Sequence, residues 1–306
     1  MFKNNKVIIL GFVAFMFVMC NQKEKKNINQ ETILKGSVII MVDETLTPLI
    51  EDQVAVFESN YDAKIKIVSK SEVEIVNSLF KEKSVIAVLS RNLSIEENKL
   101  FEQKKITPKI TKFATDAIVF ISNKSNNDSI IELKNVIEFM QGKPTSSIKG
   151  LVFDNPNSST VRFMNDLAEI KANPKSGVYS FKTNDEVIKF VSQNKEMIGV
   201  VGVNWLSQPK PEMQDFVNKV SVLKLKGLTS DKYYDPSQNN IAEGKYALAR
   251  DLYIINGQGY SGLGMGFASF VAGDIGQRII LKSGLLPVKI PGRRINIRKE
   301  ISNEEK

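Results

Sequence analysis

The residues with the most chemical promise in this chain are hydroxyls, acids and one arginine gathered in short turns. Asp43-Glu44-Thr45, Ser90-Arg91-Asn92 and the stretch Asp154-Asn155-Pro156-Asn157-Ser158-Ser159-Thr160 each follow a short apolar run and precede a helical pattern. Ser71, in the turn Ser69-Lys70-Ser71, adds a fourth. A helix beginning presents N–H groups without intrahelical partners and carries partial positive charge, so hydroxyl donors placed there form a cradle for an oxyanion. Arg91 can grip a tetrahedral oxyanion through two parallel hydrogen bonds. Asp43 or Asp154 can accept the hydrogen of a protonated anion and leave a fully ionised one facing an unpaired charge. The plainer use of each Ser and Thr is to cap a helix, and that of Arg91 is an ion pair with Glu96 or Glu97. Their recurrence at corresponding strand ends favours the cradle.

Other chemistry is restricted by what the chain lacks. It has no histidine and one cysteine, which removes the usual general base, the commonest metal ligand and every Ser-His or Cys-His nucleophile. Catalytic residues, cofactors and a metal site are therefore not expected. The Ser158 region keeps a hydrolase open as the weakest reading. Ser261-Gly262-Leu263-Gly264-Met265-Gly266 contains neither G-x-G-x-x-G nor a Gly-Lys-Ser/Thr ending and reads as a flexible connection. Trp205, Tyr233 and Tyr234 suit either stacking on an organic ligand or packing between lobes. Glu96-Glu97 and Glu304-Glu305 read as solvated charge. The 42 basic and 34 acidic residues are interspersed, which gives a mixed surface, a modest field favouring an anion, and no nucleic-acid stripe.

The elements that must position these turns alternate. Ser37–Val42, Ala63–Val68, Val85–Leu89, Ala117–Asn123, Leu151–Phe153, Ile198–Val203 and Tyr246–Asn256 read as strands. Between them lie helical patterns: the face Leu46, Leu49, Ile50, Val54 and Phe57; Ser71–Phe80; a helix opened by the capping box Ser94-Ile95-Glu96-Glu97; Ile131–Met140; Ser158–Ile170; Glu186–Gln193; and Phe267–Lys282. A loop is expected over Thr229–Asn240. The alternation predicts an α/β protein with a parallel sheet and ligand groups at the carboxyl ends of its strands.

At the amino end, Lys3 and Lys6 precede the apolar run Val7–Met19, which ends at Cys20. The run is too short to span a bilayer and has the form of a secretory signal. A polar stretch follows from Asn21, so the expectation is a lipoprotein signal over 1–20, lipid attachment at Cys20 and a tether over 21–36.

The chain resembles the phosphate-binding, PstS-type substrate-binding proteins of ABC importers from about Ser37 to Pro287. The resemblance is carried by Tyr246-Ala247-Leu248-Ala249-Arg250, Phe267-Ala268-Ser269-Phe270, Gly276-Gln277-Arg278-Ile279-Ile280 and Gly284-Leu285-Leu286-Pro287. Ser90-Arg91-Asn92-Leu93, Ala114–Val119, Phe139-Met140-Gln141-Gly142 and Ile198-Gly199-Val200 support it. It implies a two-lobed periplasmic-binding-protein (type II) architecture with a hinge of two chain crossings, near Thr115 and Tyr246. Lobe 1 is then 37–115 plus 247–297, lobe 2 is 116–246, and 298–306 is a tail. It further implies a monomer that binds inorganic phosphate on the periplasmic side of the envelope, anchored to the membrane by lipid, and delivers it to an ABC permease in the inner membrane. Thr45 stands in the family's Gly-Ser-Thr position, and Ser158-Ser159-Thr160 stands where the family writes Ser-Gly-Thr. Asp154 occupies the place of an arginine, so another oxyanion, or an envelope sensor or assembly factor that contacts proteins, remains an alternative.

Overall fold

A computed structural model describes residues 31–81, 85–143, 145, 147–172 and 176–292. The expected signal with Cys20, most of the tether and the tail lie outside the described residues. The described residues from Thr32 onward form one compact unit.

Strand β1 (Gly36–Asp43) runs through a 3-10 turn, Glu44–Leu46, into α1 (Thr47–Asn60). The predicted helical face holds: Leu46, Leu49, Ile50, Val54 and Phe57 are all buried. Phe57 packs edge-on against Phe267 at 5.5 Å and Phe270 at 5.2 Å. Each such side chain contributes about 1.5–3 kcal/mol on leaving water. There follow β2 (Ala63–Lys70), α2 (Glu72–Lys81), β3 (Ile86–Leu89) and α3 (Ile95–Gln103), whose capping box at Ser94 and Glu97 forms in both directions.

Strand β4 (Lys109–Asn123) is fifteen residues long, eight more than its apolar run predicts. Its first half pairs antiparallel with β12 (Ala249–Asn256), and its second half pairs antiparallel with β8 (Ile198–Gly202) and β9 (Val220–Val222). The first half mixes polar and apolar residues, Lys109, Ile110, Thr111, Lys112 and Phe113, and so lacks the continuous hydrophobicity of a fully buried strand. Leu252 faces Ala114 and Tyr253 faces Lys112, which leaves Phe113 as a bulge. The Phe113 carbonyl instead accepts from Gln277 Nε2 at 2.9 Å.

Between β4 and β8 lie β5 (Ile130–Glu132), α4 (Leu133–Met140), β6 (Leu151–Phe153), α5 (Ser159–Leu167), β7 (Val178–Ser180) and α6 (Asn184–Gln193). After β8 come α7 (Asn204–Ser207), α8 (Gln214–Val217), β9 and β10 (Lys224–Lys226). The expected loop over Thr229–Asn240 in fact contains β11 (Tyr233–Tyr234) and the start of α9 (Gln238–Ala242), which Ser237 caps. Beyond β12 are α10 (Leu263–Ala272), α11 (Asp274–Lys282) and β13 (Leu286–Pro287).

The main sheet has the order β2-β1-β3-β12-β4-β8-β6-β7, with β9 and β13 also on β4; β11-β10-β5 form a small second sheet. The expectation of a parallel sheet needs correction. β1, β2 and β3 are parallel, as are β6, β7 and β8, whereas β4 and β12 run antiparallel to their neighbours. The strands that carry the chain across reverse its direction, and alternation along the sequence does not reveal that.

Two further expectations change near the carboxyl end. Phe267–Lys282 is two helices, because Gly273 takes an extended conformation (φ −84°, ψ 173°) and ends α10. The glycine-rich stretch is no flexible connection: Gly264 and Gly266 lie inside α10. A Cβ at Gly266 would collide with the Ile33 carbonyl, and one at Gly264 with Ile86. Glycine there admits close helix packing.

Candidate functional site

The first turn of the site begins where β1 stops. Asp43 Oδ1 accepts from Thr45 N at 3.2 Å and from Thr45 Oγ1 at 2.7 Å, so the aspartate caps the 3-10 turn and fixes the threonine. Both side chains are fully buried, and Asp43 Oδ2 has no hydrogen-bond partner. From the short helix after β8, Asn204 Nδ2 and Trp205 Nε1 both donate to the Thr45 carbonyl, at 3.0 and 2.9 Å. Trp205 is thus fastened to this turn and buried in the core, the packing role of the two considered for it.

The second turn follows β6. Ser158 is the N-cap of α5, accepting from Val161 N at 3.2 Å, while its hydroxyl lies 2.5 Å from Asp154 Oδ1. Asn184 Nδ2 donates to Asp154 Oδ2 at 3.1 Å and accepts from Gly202 N at its own Oδ1. Ser159, one residue into the helix, meets Thr45 Oγ1 at 3.0 Å across 114 positions of sequence. Thr160 Oγ1 is buried without a partner.

Arg250, on β12, completes the cluster. Its Nε and Nη2 donate to Asp116 Oδ1 and Oδ2 at 3.0 and 2.7 Å, and its Nη1 donates to Ser159 Oγ at 3.2 Å. An unbroken path therefore runs Asp116, Arg250, Ser159, Thr45, Asp43 through buried atoms. Burial opposes the Arg250 charge, and the Asp116 carboxylate overrides it, holding the guanidinium above its ordinary pKa.

The carboxylates have no comparable support. Burial, then the charge of Asp43, pushes Asp154 up to about 7 despite its hydrogen bonds from Ser158 and Asn184. Burial and then Glu72 raise Asp43. Glu44, half-buried beside both, is pushed up to about 7 by burial and then by Asp154 and Asp43.

The remaining predicted residues are placed differently. Arg91, expected to grip an anion through a bidentate contact, has a bidentate contact with Glu97 at 2.8 Å for each nitrogen and gives its Nε to Glu72 at 2.8 Å. Glu97 is consequently no solvated charge, since burial and this contact employ it. Ser71 gives its hydroxyl to Glu74 at 2.7 Å, in the capping role. Ser90 Oγ is buried and unpartnered, on the wall of a cavity of about 590 Å³ that it shares with Arg91, Arg162 and Arg250. Arg162 pairs with Glu72 and Asp166 at 2.7 and 2.9 Å.

Sequence reasoning missed Glu44, Glu72, Asp116, Asn184, Asn204 and Arg250 as members of this site. Arg250 carried a usable signal, because a cation between Leu248 and Leu252 in an apolar strand requires a buried acid, and Asp116 lies in the facing run. Among the described residues no group of three or more His, Cys, Asp or Glu is arranged to hold a metal ion, and no helix is long and apolar enough to cross a membrane.

Comparison with known proteins adds a family. Residues 27–274 match the model of the PBP superfamily domain. The phosphate-binding protein PstS of Staphylococcus haemolyticus is 29% identical over 180 residues, which cover 54% of this chain and 52% of that protein. The PstS protein of Staphylococcus saprophyticus is 26% identical over 197 residues, covering 60% and 57%. The chain thus spans about half the length of the curated relatives it matches. A putative phosphate ABC transporter substrate-binding protein with bound phosphate from Clostridium perfringens superimposes with a TM-score of 0.67 at 20% identity, covering 83% of this chain and all of that one. An ABC-type phosphate transport receptor from Vibrio cholerae gives 0.61 at 14%, covering 82% and 100%. These structures show the shared fold.

Proposed function

Because the chain belongs to the PBP superfamily, we propose that it is an extracytoplasmic solute receptor that binds inorganic phosphate and hands it to an ABC importer without covalent chemistry. The observation that carries this reading is the convergence of the β1 turn (Asp43, Thr45), the start of α5 (Ser158, Ser159, Thr160) and Arg250 of β12 on one buried cluster. These are hydroxyls, a helix beginning and a guanidinium, the groups that replace water around an oxyanion. The names of the relatives, phosphate-binding PstS proteins, support the choice of phosphate.

In this reading 37–115 with 247–297, and 116–246, act as two lobes that close over the anion, with β4 and the approach to β12 as the crossings. The receptor is a monomer held to the membrane by lipid on Cys20. The acidic surroundings of the cluster favour phosphate, which can carry a proton, over sulfate, which stays doubly ionised. A melting-temperature screen of the purified full-length chain in detergent against phosphate, arsenate, sulfate and molybdate tests it. Phosphate at a hundred times its Kd adds about 2.7 kcal/mol of stability; no response to phosphate, or an equal one to sulfate, refutes the reading.

One observation favours a second reading. Each of the three arginines around the cluster is already paired with a carboxylate, as suits a sensor or assembly factor that contacts a protein. Its signature is a melting temperature indifferent to every anion, together with a defined protein complex.

A further inference from the structure

The balance of charge around the cluster poses a problem for any anion that enters it. Asp43, Glu44, Glu72, Asp116 and Asp154 bring five carboxylates, and Arg91, Arg162 and Arg250 bring three guanidiniums, all three in ion pairs. Glu97 and Asp166, which complete the pairing of Arg91 and Arg162, make the surroundings more acidic still. A doubly charged anion placed here meets net negative charge in a low-dielectric setting, where repulsion is poorly screened.

Two atoms show how the imbalance is relieved. Asp43 Oδ2 is buried with no partner, whereas Oδ1 takes both hydrogen bonds from Thr45. A hydrogen on Oδ2 turns a stranded acceptor into a donor. Asp154 Oδ1 lies 2.5 Å from Ser158 Oγ. While Asp154 is ionised, the Ser158 hydrogen points inward to it. Once Asp154 carries a proton, its O–H donates to Ser158 Oγ, which already accepts from Val161 N. The two lone pairs of that oxygen are then filled and its own hydrogen is free to turn to a ligand.

Resting on the receptor reading above, we infer that anion loading here is coupled to proton uptake: Asp154, with Asp43, takes up protons as the anion binds, and protonated Asp154 turns the Ser158 hydroxyl toward it. The charged groups that bear on Asp154 are Asp43 and Glu44 from the β1 turn and Arg250 from β12. The α5 and α6 starts offer it the neutral Ser158 and Asn184, and Glu74 and Glu186 bear on Glu44 behind them. Two carboxylates against one guanidinium, in a buried setting, favour the protonated form, in accord with the raised pKa of Asp154.

Calorimetric titration of the full-length chain with inorganic phosphate, in buffers of different ionisation enthalpy at about pH 6 and about pH 8.5, reads the protons taken up directly. In the basic range the wild type should take up more than one proton per phosphate, which exceeds what the anion's own second ionisation supplies. Its affinity should weaken by about tenfold per pH unit for each linked proton. Asp154→Asn supplies a permanent amide donor to Ser158. It should bind phosphate more tightly than wild type at about pH 8.5 and take up one proton fewer, a difference in which the phosphate's own proton cancels. Uptake of one proton or fewer by the wild type, or equal uptake by wild type and a folded Asp154→Asn, overturns the inference and leaves the receptor reading intact. Absence of phosphate binding by the wild type at both pH values overturns both.

Discussion

The buried ion pair between Arg250 and Asp116 offers the sharpest test of how this site is held together. The side chains are 1% and 0% exposed and meet through two hydrogen bonds of 3.0 and 2.7 Å. Arg250→Met keeps the aliphatic length of the side chain and strands Asp116 as an uncompensated buried carboxylate. Breaking such a pair from one side costs about 3–5 kcal/mol, whereas replacing both partners with apolar groups is close to neutral. Against a typical stability of about 5–15 kcal/mol, the single change removes a large share of the total. Urea unfolding followed by circular dichroism should show the midpoint of Arg250→Met falling with little change in slope, and Arg250→Met/Asp116→Leu recovering most of the loss. The cycle of four proteins should therefore give a coupling energy of at least about 2 kcal/mol. A loss below about 1 kcal/mol for Arg250→Met, or a double variant as unstable as the sum of the singles, would refute the reasoning. Either result would mean that water or another cation reaches Asp116.

Two other outcomes follow from the same geometry. The Asp154 pKa of about 7 in the folded protein lies above the ordinary carboxylate value of about 3.9 expected after unfolding, so the native state holds more protons throughout that window. Stability should then rise as pH falls from about 8 to about 5, by a few kcal/mol in order of magnitude, with Glu44 adding in the same sense. Melting curves across that range check this, and they should be flatter for Asp154→Asn. Gly276→Ala should cost at least about 1–3 kcal/mol, because its Cβ would stand 2.5 Å from the Phe270 carbonyl and the Val271 backbone; a melting temperature equal to that of wild type contradicts this packing.

What was legible in the sequence was local. The apolar face from Leu46 to Phe57, the capping box at Ser94 and the strand-end turns that supply Thr45 and Ser158 all depend on neighbours within a turn or two. The lost information is of two kinds. Asp116 and Arg250 are 134 positions apart, and only the antiparallel register of β12 on β4 makes them partners. Arg91 has acids within reach on its own stretch, at Glu97, and on α2, at Glu72. Whether it faces a ligand or those acids depends on rotamers and burial that spacing does not encode. The extent of β4 was hidden for a simpler reason: Lys109, Thr111 and Lys112 sit on a half-exposed stretch where backbone pairing, rather than hydrophobicity, maintains the strand.

The place of β12 in the sheet also governs how the chain can be made. It lies between β3 and β4, strands completed long before it, and is antiparallel to both. A nascent polypeptide that has emerged as far as α9 therefore has β1, β2 and β3 ready on one side and β4 on the other, with the strand that joins them still inside the ribosome. Both flanks present unpaired N–H and C=O rows until β12 has emerged. Pairings of such long sequence separation form slowly, and interrupted chains ending before Ala249 would be left with open edges prone to stick to one another. Late assembly also makes the nascent chain dependent on whatever shields those edges until Asn256 has emerged.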